Sequence, residues 1–131
     1  MKFMIPVSFV FLTIFLSCGD KPDQIKALKD EVMDVHDEVM PRMGDLRKAS
    51  KSLMTKAESL DSLSAEELKA LAADIEAANE FMMEWMRQYE TDFEGTEEEV
   101  LNYYKAQRKS VQEVKERMLN ALEKGQKALS E

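Results

Sequence analysis

The sequence predicts an all-α protein, an up-down-up antiparallel three-helix bundle behind a cleaved leader, with a fourth helix if Pro41 breaks the first. Three observations lead there. Past residue 18 only Pro22 and Pro41 interrupt a chain dominated by the strong helix formers Ala, Leu, Glu, Lys and Met. Apolar residues recur in that part at three- and four-residue steps, the period of a single helix face, along three separate stripes. Polar turns over residues 61–63 and 91–95 divide the stripes, and connections this short join antiparallel neighbours.

The first helix begins near Asp23, an N-cap behind Pro22, and carries Ile25, Leu28, Val32, Val35 and Val39. The apolar phase runs on through Met43 and Leu46, so Pro41, with Gly44 close behind, kinks this helix rather than ending it. The second helix starts at the capping box Ser64-Ala65-Glu66-Glu67, where hydroxyl and carboxylate satisfy each other's free backbone donors. Its stripe is Leu68, Leu71, Ile75, Met82, Met86 and Tyr89. Thr96-Glu97-Glu98-Glu99 repeats the capping logic after Gly95, and its acidic first turn suits the positive end of the helix dipole. Val100, Tyr104, Val111, Val114, Met118, Leu122 and Leu129 make the third stripe. Glu113 with Arg117 and Glu123 with Lys127 lie one turn apart, the spacing of ion pairs on a solvated face. A weak heptad drift makes a long coiled-coil rod the competing architecture.

At the other end of the chain, an apolar run over residues 4–16 follows the basic start Met1-Lys2 and gives way behind Cys18 to the polar Gly19-Asp20-Lys21. The run is too short for a permanent membrane helix, and Ser17 supplies the small residue a processing enzyme requires. Phe15-Leu16-Ser17-Cys18 resembles the lipobox of bacterial lipoproteins, in which the cysteine becomes the acylated first residue of the mature protein. That family more often has leucine where Phe15 stands and a small residue where Leu16 stands. A plain secretory signal cut near Ser17, or an uncleaved anchor, are the other readings, and either leaves the only cysteine as an unpaired thiol. On the lipoprotein reading, residues 1–17 are the lipoprotein signal peptide, residues 18–23 are the lipidated Cys18 with a short tether, and residues 24–131 are the helical bundle domain. More than one acyl chain on Cys18 then holds the domain at a membrane.

A formal net charge of −8 excludes nucleic acid as a natural partner, because no basic stripe with interleaved aromatics offsets the repulsion. A single histidine excludes the paired Glu-x-x-His ligands of di-iron bundles and the His-Glu-x-x-His zinc proteases. Neither a Gly-rich phosphate loop nor a Ser-x-x-Lys nucleophile signature is present, and there is no Cys-x-x-Cys-His haem attachment motif. The expectation is a protein that is not an enzyme.

One constellation carries possible chemistry. Among ten methionines, Met33, Met40 and Met43 surround His36, and Met82, Met83 and Met86 surround Trp85. His36 falls inside the stripe of the first helix, and Met40 and Met43 follow it on the same face. In an antiparallel hairpin turning near residue 62, Met40 and Met43 lie level with Met82, His36 with Met86, and Tyr103 and Tyr104 near the same layer. Thioethers with one imidazole suit Cu(I) or Ag(I), with His36, Met40, Met43, Met82 and Met86 as the ligand set and Trp85 as a cation–π face. The competing account needs no metal. Methionine fills gaps in helical cores and packs well on aromatic rings, and a lone histidine on an apolar face is usually hydrogen-bonded, here to Asn79 or a tyrosine hydroxyl. A methionine-lined groove for a partner helix or a small apolar ligand is a third reading.

The segments His36-Asp37-Glu38-Val39-Met40-Pro41-Arg42-Met43-Gly44 and Met82-Met83-Glu84-Trp85-Met86-Arg87-Gln88-Tyr89 resemble a group of small bacterial lipoproteins sometimes named "viral A-type inclusion protein". The resemblance implies the lipoprotein address and no enzyme, and the group has no assigned activity or functional residues to carry over. The sequence thus points to the cell envelope of a bacterium. There a lipid-anchored helical module, facing the periplasm or the cell surface, binds or scaffolds a protein partner or a second copy of itself.

Overall fold

The computed structural model describes residues 20–131, so the expected signal peptide and Cys18 lie outside the described residues. Those residues form four helical segments, α1 (Lys21–Val39), α2 (Arg42–Ala57), α3 (Ser62–Gln88) and α4 (Glu97–Ser130), with no strand among them. No helix among them is long and apolar enough to cross a membrane.

Each helix start follows from local chemistry, and two differ from the sequence expectation. α1 begins at Lys21, ahead of Asp23, because Pro22 sits in the first turn, where a missing N–H leaves nothing unpaired. The Asp20 carbonyl accepts from the backbone N–H of Asp23 and of Gln24, but no side chain caps this end. α3 begins at Ser62, and its cap is Asp61 rather than the expected Ser64. The Asp61 carboxylate accepts from the N–H groups of Leu63 and Ser64, and the Ser64 hydroxyl donates to it at 3.1 Å. Those bonds, the Ser64 N–H first, hold the Asp61 carboxyl below its ordinary range. α4 opens with the expected box: Thr96 Oγ1 accepts from the Glu99 N–H, and the Glu99 carboxylate accepts from the Thr96 N–H at 2.8 Å.

Pro41 divides the first helix by hydrogen bonding without reversing its backbone. Met40 and Pro41 both keep right-handed helical angles, φ −52° and ψ −44° for Met40 and φ −61° and ψ −26° for Pro41. Proline has no N–H to give, and the ladder resumes with a tighter bond from Met43 N–H to the Met40 carbonyl. Val39, Met43 and Leu46 stay buried across the junction, as the unbroken apolar phase requires.

α2 packs on α3 and α4, and α4 also packs on α1 and α3. Val32, Leu46, Leu53, Ile75, Met82, Val111, Val114 and Met118 are fully buried or nearly so in the shared core. A smaller cluster, Leu28, Leu101 and Tyr104, lies where α1 meets the start of α4. Arg108 bonds Glu31 at 3.2 Å and Lys115 bonds Glu38 at 2.6 Å, so matched positions advance together along α1 and α4. Between α3 and α4 the index falls on one helix as it rises on the other: Trp85 meets Gln107, Phe81 meets Arg117, and Ile75 meets Gly125. A Cβ added at Gly125 would stand 2.7 Å from Ile75 Cδ1, so this glycine is what lets α4 approach α3 so closely. The two expected helix-surface pairs do not form; Arg117 lies over the Phe81 ring at 4.3 Å instead of meeting Glu113, and Glu123 makes no ion pair with Lys127. A flat guanidinium gains more from a partly desolvated aromatic face than from an exposed carboxylate.

Candidate functional site

His36 lies near the end of α1 with its side chain one-fifth exposed, 20%. Its Nδ1 stands 2.8 Å from the Asp37 carboxylate, so the partner is Asp37 rather than Asn79 or a tyrosine. A carboxylate only accepts, so Nδ1 carries the proton and Nε2 keeps its lone pair in the neutral ring. The imidazole centroid lies 6.0 Å from that of Trp85, tilted by 38°.

From Trp85 an aromatic column runs toward the α3–α4 connection. The Trp85 ring stacks on Tyr89 at 5.0 Å, Tyr89 faces Tyr103 at 6.5 Å, and Tyr103 stacks on Phe93 at 4.2 Å and meets Tyr104 edge-on at 5.1 Å. Trp85 Nε1–H donates to Gln107 at 3.0 Å, which ties the column to α4. Hydroxyls then pin residues 89–96. Tyr103 accepts from the Glu90 N–H at 2.7 Å, and Tyr104 donates to the Thr91 carbonyl at 2.6 Å. Lys29 reaches over from α1, 5.3 Å from the Tyr104 centroid and 3.2 Å from Asp92. The sequence placed Tyr103 and Tyr104 near His36 and Tyr89 on its helix stripe, but Phe93 and Gln107 had no periodic signal to reveal them, and period alone does not show that Tyr89 links Trp85 to Tyr103.

The methionines divide. Met82 is fully buried, Met43 nearly so, and Met86 packs partly buried against the same core. Met40 is 36% exposed at the α1–α2 junction, outside the core cluster, as are Met33 and Met83. Five expected ligands therefore occupy three environments: Met43, Met82 and Met86 against the core, His36 beside Trp85, and Met40 at the surface. Among the described residues no three His, Cys, Asp or Glu side chains converge as a metal centre of those donors would require.

Burial of the column has an electrostatic consequence. Desolvation pushes the phenols of Tyr89 and Tyr103 up from their ordinary value, and Tyr89 Oη has no hydrogen-bond partner among the described residues. Lys29 is also raised, chiefly by its bond to Asp92. Each of these groups holds its proton more tightly in the folded state than in the unfolded chain. Their contribution is therefore complete below about pH 10 and is lost as pH rises from there through the native values. Urea midpoints are expected to fall as pH rises above about 10, and Tyr89→Phe should make that fall shallower; an unchanged slope would place Tyr89 outside the titrating set.

A second feature was not legible in the sequence. Between α3 and α4 lies an open groove of about 380 Å³, lined by Asp74, Ala77, Ala78, Arg117, Asn120, Ala121 and Lys124. No family model, curated protein or solved structure matches the chain.

Proposed function

We propose that this chain is a bacterial envelope lipoprotein, anchored through acyl chains on Cys18, whose helices form an up-down-up bundle that binds or scaffolds a partner without catalysing a reaction. The observation that carries this reading is the junction itself: an apolar run, Ser17-Cys18, and then a helix that begins at Lys21. Two residues separate Cys18 from Lys21, a reach of about 10 Å when extended, so the domain stands close to the surface that holds it. The pairings of α1 with α4 and of α3 with α4 support the up-down-up order. The lipobox-like segment and the resemblance to small bacterial lipoproteins support the address, facing either the periplasm or the cell surface. The acidic balance favours a cationic protein partner, or a second copy docked through charge-complementary faces, over nucleic acid. In a bacterial host, Cys18→Ala is expected to abolish incorporation of labelled palmitate and to move the protein out of the membrane fraction. Membrane association that persists after signal cleavage would refute the anchor.

A Cu(I)- or Ag(I)-binding role is the second reading, and one contact favours it. Metal-bound histidines commonly donate their other N–H to a carboxylate, as His36 does to Asp37, leaving Nε2 for a metal with Met40, Met43, Met82 and Met86 as the expected sulfur ligands. Anaerobic Ag(I) titration followed by NMR should then shift the His36 ring and these methionine methyls together, with one-to-one saturation lost in His36→Ala. Methyl signals that stay fixed to millimolar silver would leave the methionines as packing alone.

A further inference from the structure

Among the described residues the exposed methionines are Met33, Met40, Met54 and Met83. Each stands two residues from a side chain that touches α4: Met33 from Glu31, Met40 from Glu38, Met54 from Lys56, and Met83 from Phe81, the ring under Arg117. Two residues turn a helix by about 200°, so all four point away from α4 and share the face that α1, α2 and α3 leave open opposite it. The remaining exposed large apolar side chains fall elsewhere, Leu60 and Leu63 around the start of α3 and Leu119 on α4. Exposed thioethers gathered on one face adapt well to an apolar partner surface.

The middle of that face holds a knob and a hole. Met40 projects at the α1–α2 junction, and by the register that His36 and Trp85 set, Met83 on α3 lies level with it. One turn past Met40, a Cβ built at Gly44 meets nothing within 4 Å. Met40 and Pro41 keep helical angles, so α1 and α2 present one edge that runs through both positions. Charge is sorted by sign along this edge: Asp37 comes about one turn before Met40, while Arg47 comes one turn after Gly44, with Lys51 one turn beyond. A uniformly cationic partner is repelled by the second half of the edge. A partner with the same order of charges, laid in reverse, satisfies both halves.

We propose that this face joins two copies of the chain, antiparallel about a two-fold axis at residue 42. Met40 of each copy seats over Gly44 of the other, Asp37 meets Arg47, and Met33 lies along the aliphatic stem of Lys51, every contact being made twice. The missing side chain at Gly44 lets the two backbones approach at the axis. Methionines then occupy the centre and charges the rim, the usual arrangement of an interface. Parallel pairing is excluded because it sets Arg47 against Arg47 and Asp37 against Asp37. The inference rests on the partner-binding reading above, whose partner it names as a second copy, and it does not need the Cys18 anchor. Where both copies are anchored, the two α1 starts lie about 60 Å apart, and both reach one membrane when the two-fold axis stands along the membrane normal.

The test reads mass by sedimentation of the full chain in a density-matched maltoside, with circular dichroism as the check on folding. The unmutated chain is expected to sediment as a dimer at about 100 μM. Gly44→Gln places a side chain in open space within each copy, so the helices form as before, but it blocks the partner's Met40 and should weaken association about tenfold. Asp37→Arg and Arg47→Asp should each weaken it as much, because each brings like charges together. Mixing those two variants should restore a dimer containing one of each, and so should both substitutions in one chain; a purely structural role for Asp37 beside His36 predicts neither rescue. Cys18→Ala should leave the dimer intact, so loss of membrane association in that variant bears on the anchor and not on the pairing. The proposal is overturned by a monomeric unmutated chain at that concentration, by a dimer indifferent to Gly44→Gln, or by single reversals that mixing fails to rescue. A dimer lost in Cys18→Ala overturns it as well, because the acyl chains would then be what holds the copies together.

Discussion

Replacing Trp85 with alanine is expected to cost about 3–5 kcal/mol of folding stability, a large share of the about 5–15 kcal/mol that holds a domain folded. The ring is 7% exposed and belongs to the main core cluster. Its removal deletes the stack on Tyr89, the contact with His36 and the bond to Gln107 together. Aromatic pairs contribute about 0.5–1.5 kcal/mol beyond their buried area, so the loss exceeds that of an aliphatic truncation at similar depth. The column also joins α1, α3 and α4, and a cavity there loosens three helices rather than one. Trp85→Phe tests the decomposition: it keeps most of the apolar contact but leaves the Gln107 oxygen without its donor, a loss of about 1 kcal/mol. Denaturant unfolding followed by far-ultraviolet circular dichroism measures both. An alanine variant within about 1 kcal/mol of the parent would mean that the column unfolds separately from the core.

The second large effect has the opposite sign. Asn79 is 6% exposed, yet neither its Nδ2 nor its Oδ1 finds a partner among the described residues. It stands one turn from Ile75 and from Met82 on the same face of α3, and both of those are fully buried. A buried amide without partners gives up its hydration for nothing in return, at about 1–3 kcal/mol for each unsatisfied group. Asn79→Leu keeps the branching at Cγ, removes both polar atoms and is expected to raise stability by about 1–2 kcal/mol. Asn79→Ala removes the same atoms but opens a small void, so its gain should be smaller. Both variants proving less stable than the parent would show that the amide is satisfied in the folded protein, as by a buried water.

How far the sequence could be followed depends on the range of the interaction that decides each feature. The helices themselves were legible because their signals are local. Ile75, Met82, Val111, Val114 and Met118 recur with helical period and are buried, and the Thr96–Glu99 box forms from residues three apart. The start of α3 was misplaced by one cap because Asp61 and Ser64 are both good caps three residues apart. The choice fell to the connection before it, where the Ser59 and Leu60 N–H groups close the end of α2 on the carbonyls of Lys56 and Ala57 and leave Asp61 extended at the mouth of α3. Periodicity also carried Met40 onto the core face, but the junction at Pro41 left it 36% exposed while Met43 stayed inside.

The sequence by itself determined an all-helical chain, its apolar faces, the cap at Thr96 and an acidic surface, since each depends on residues within a turn or two of one another or on composition alone. Only the tertiary structure decided that His36 bonds Asp37 and sits beside Trp85, that Asn79 is buried without a partner, and that Arg117 leaves Glu113 for Phe81. The same holds for the groove whose walls come from α3 and α4. Helical period states which side of a helix a residue occupies. Which neighbour it meets there depends on the axial register of helices far apart in the chain, which no single helix encodes.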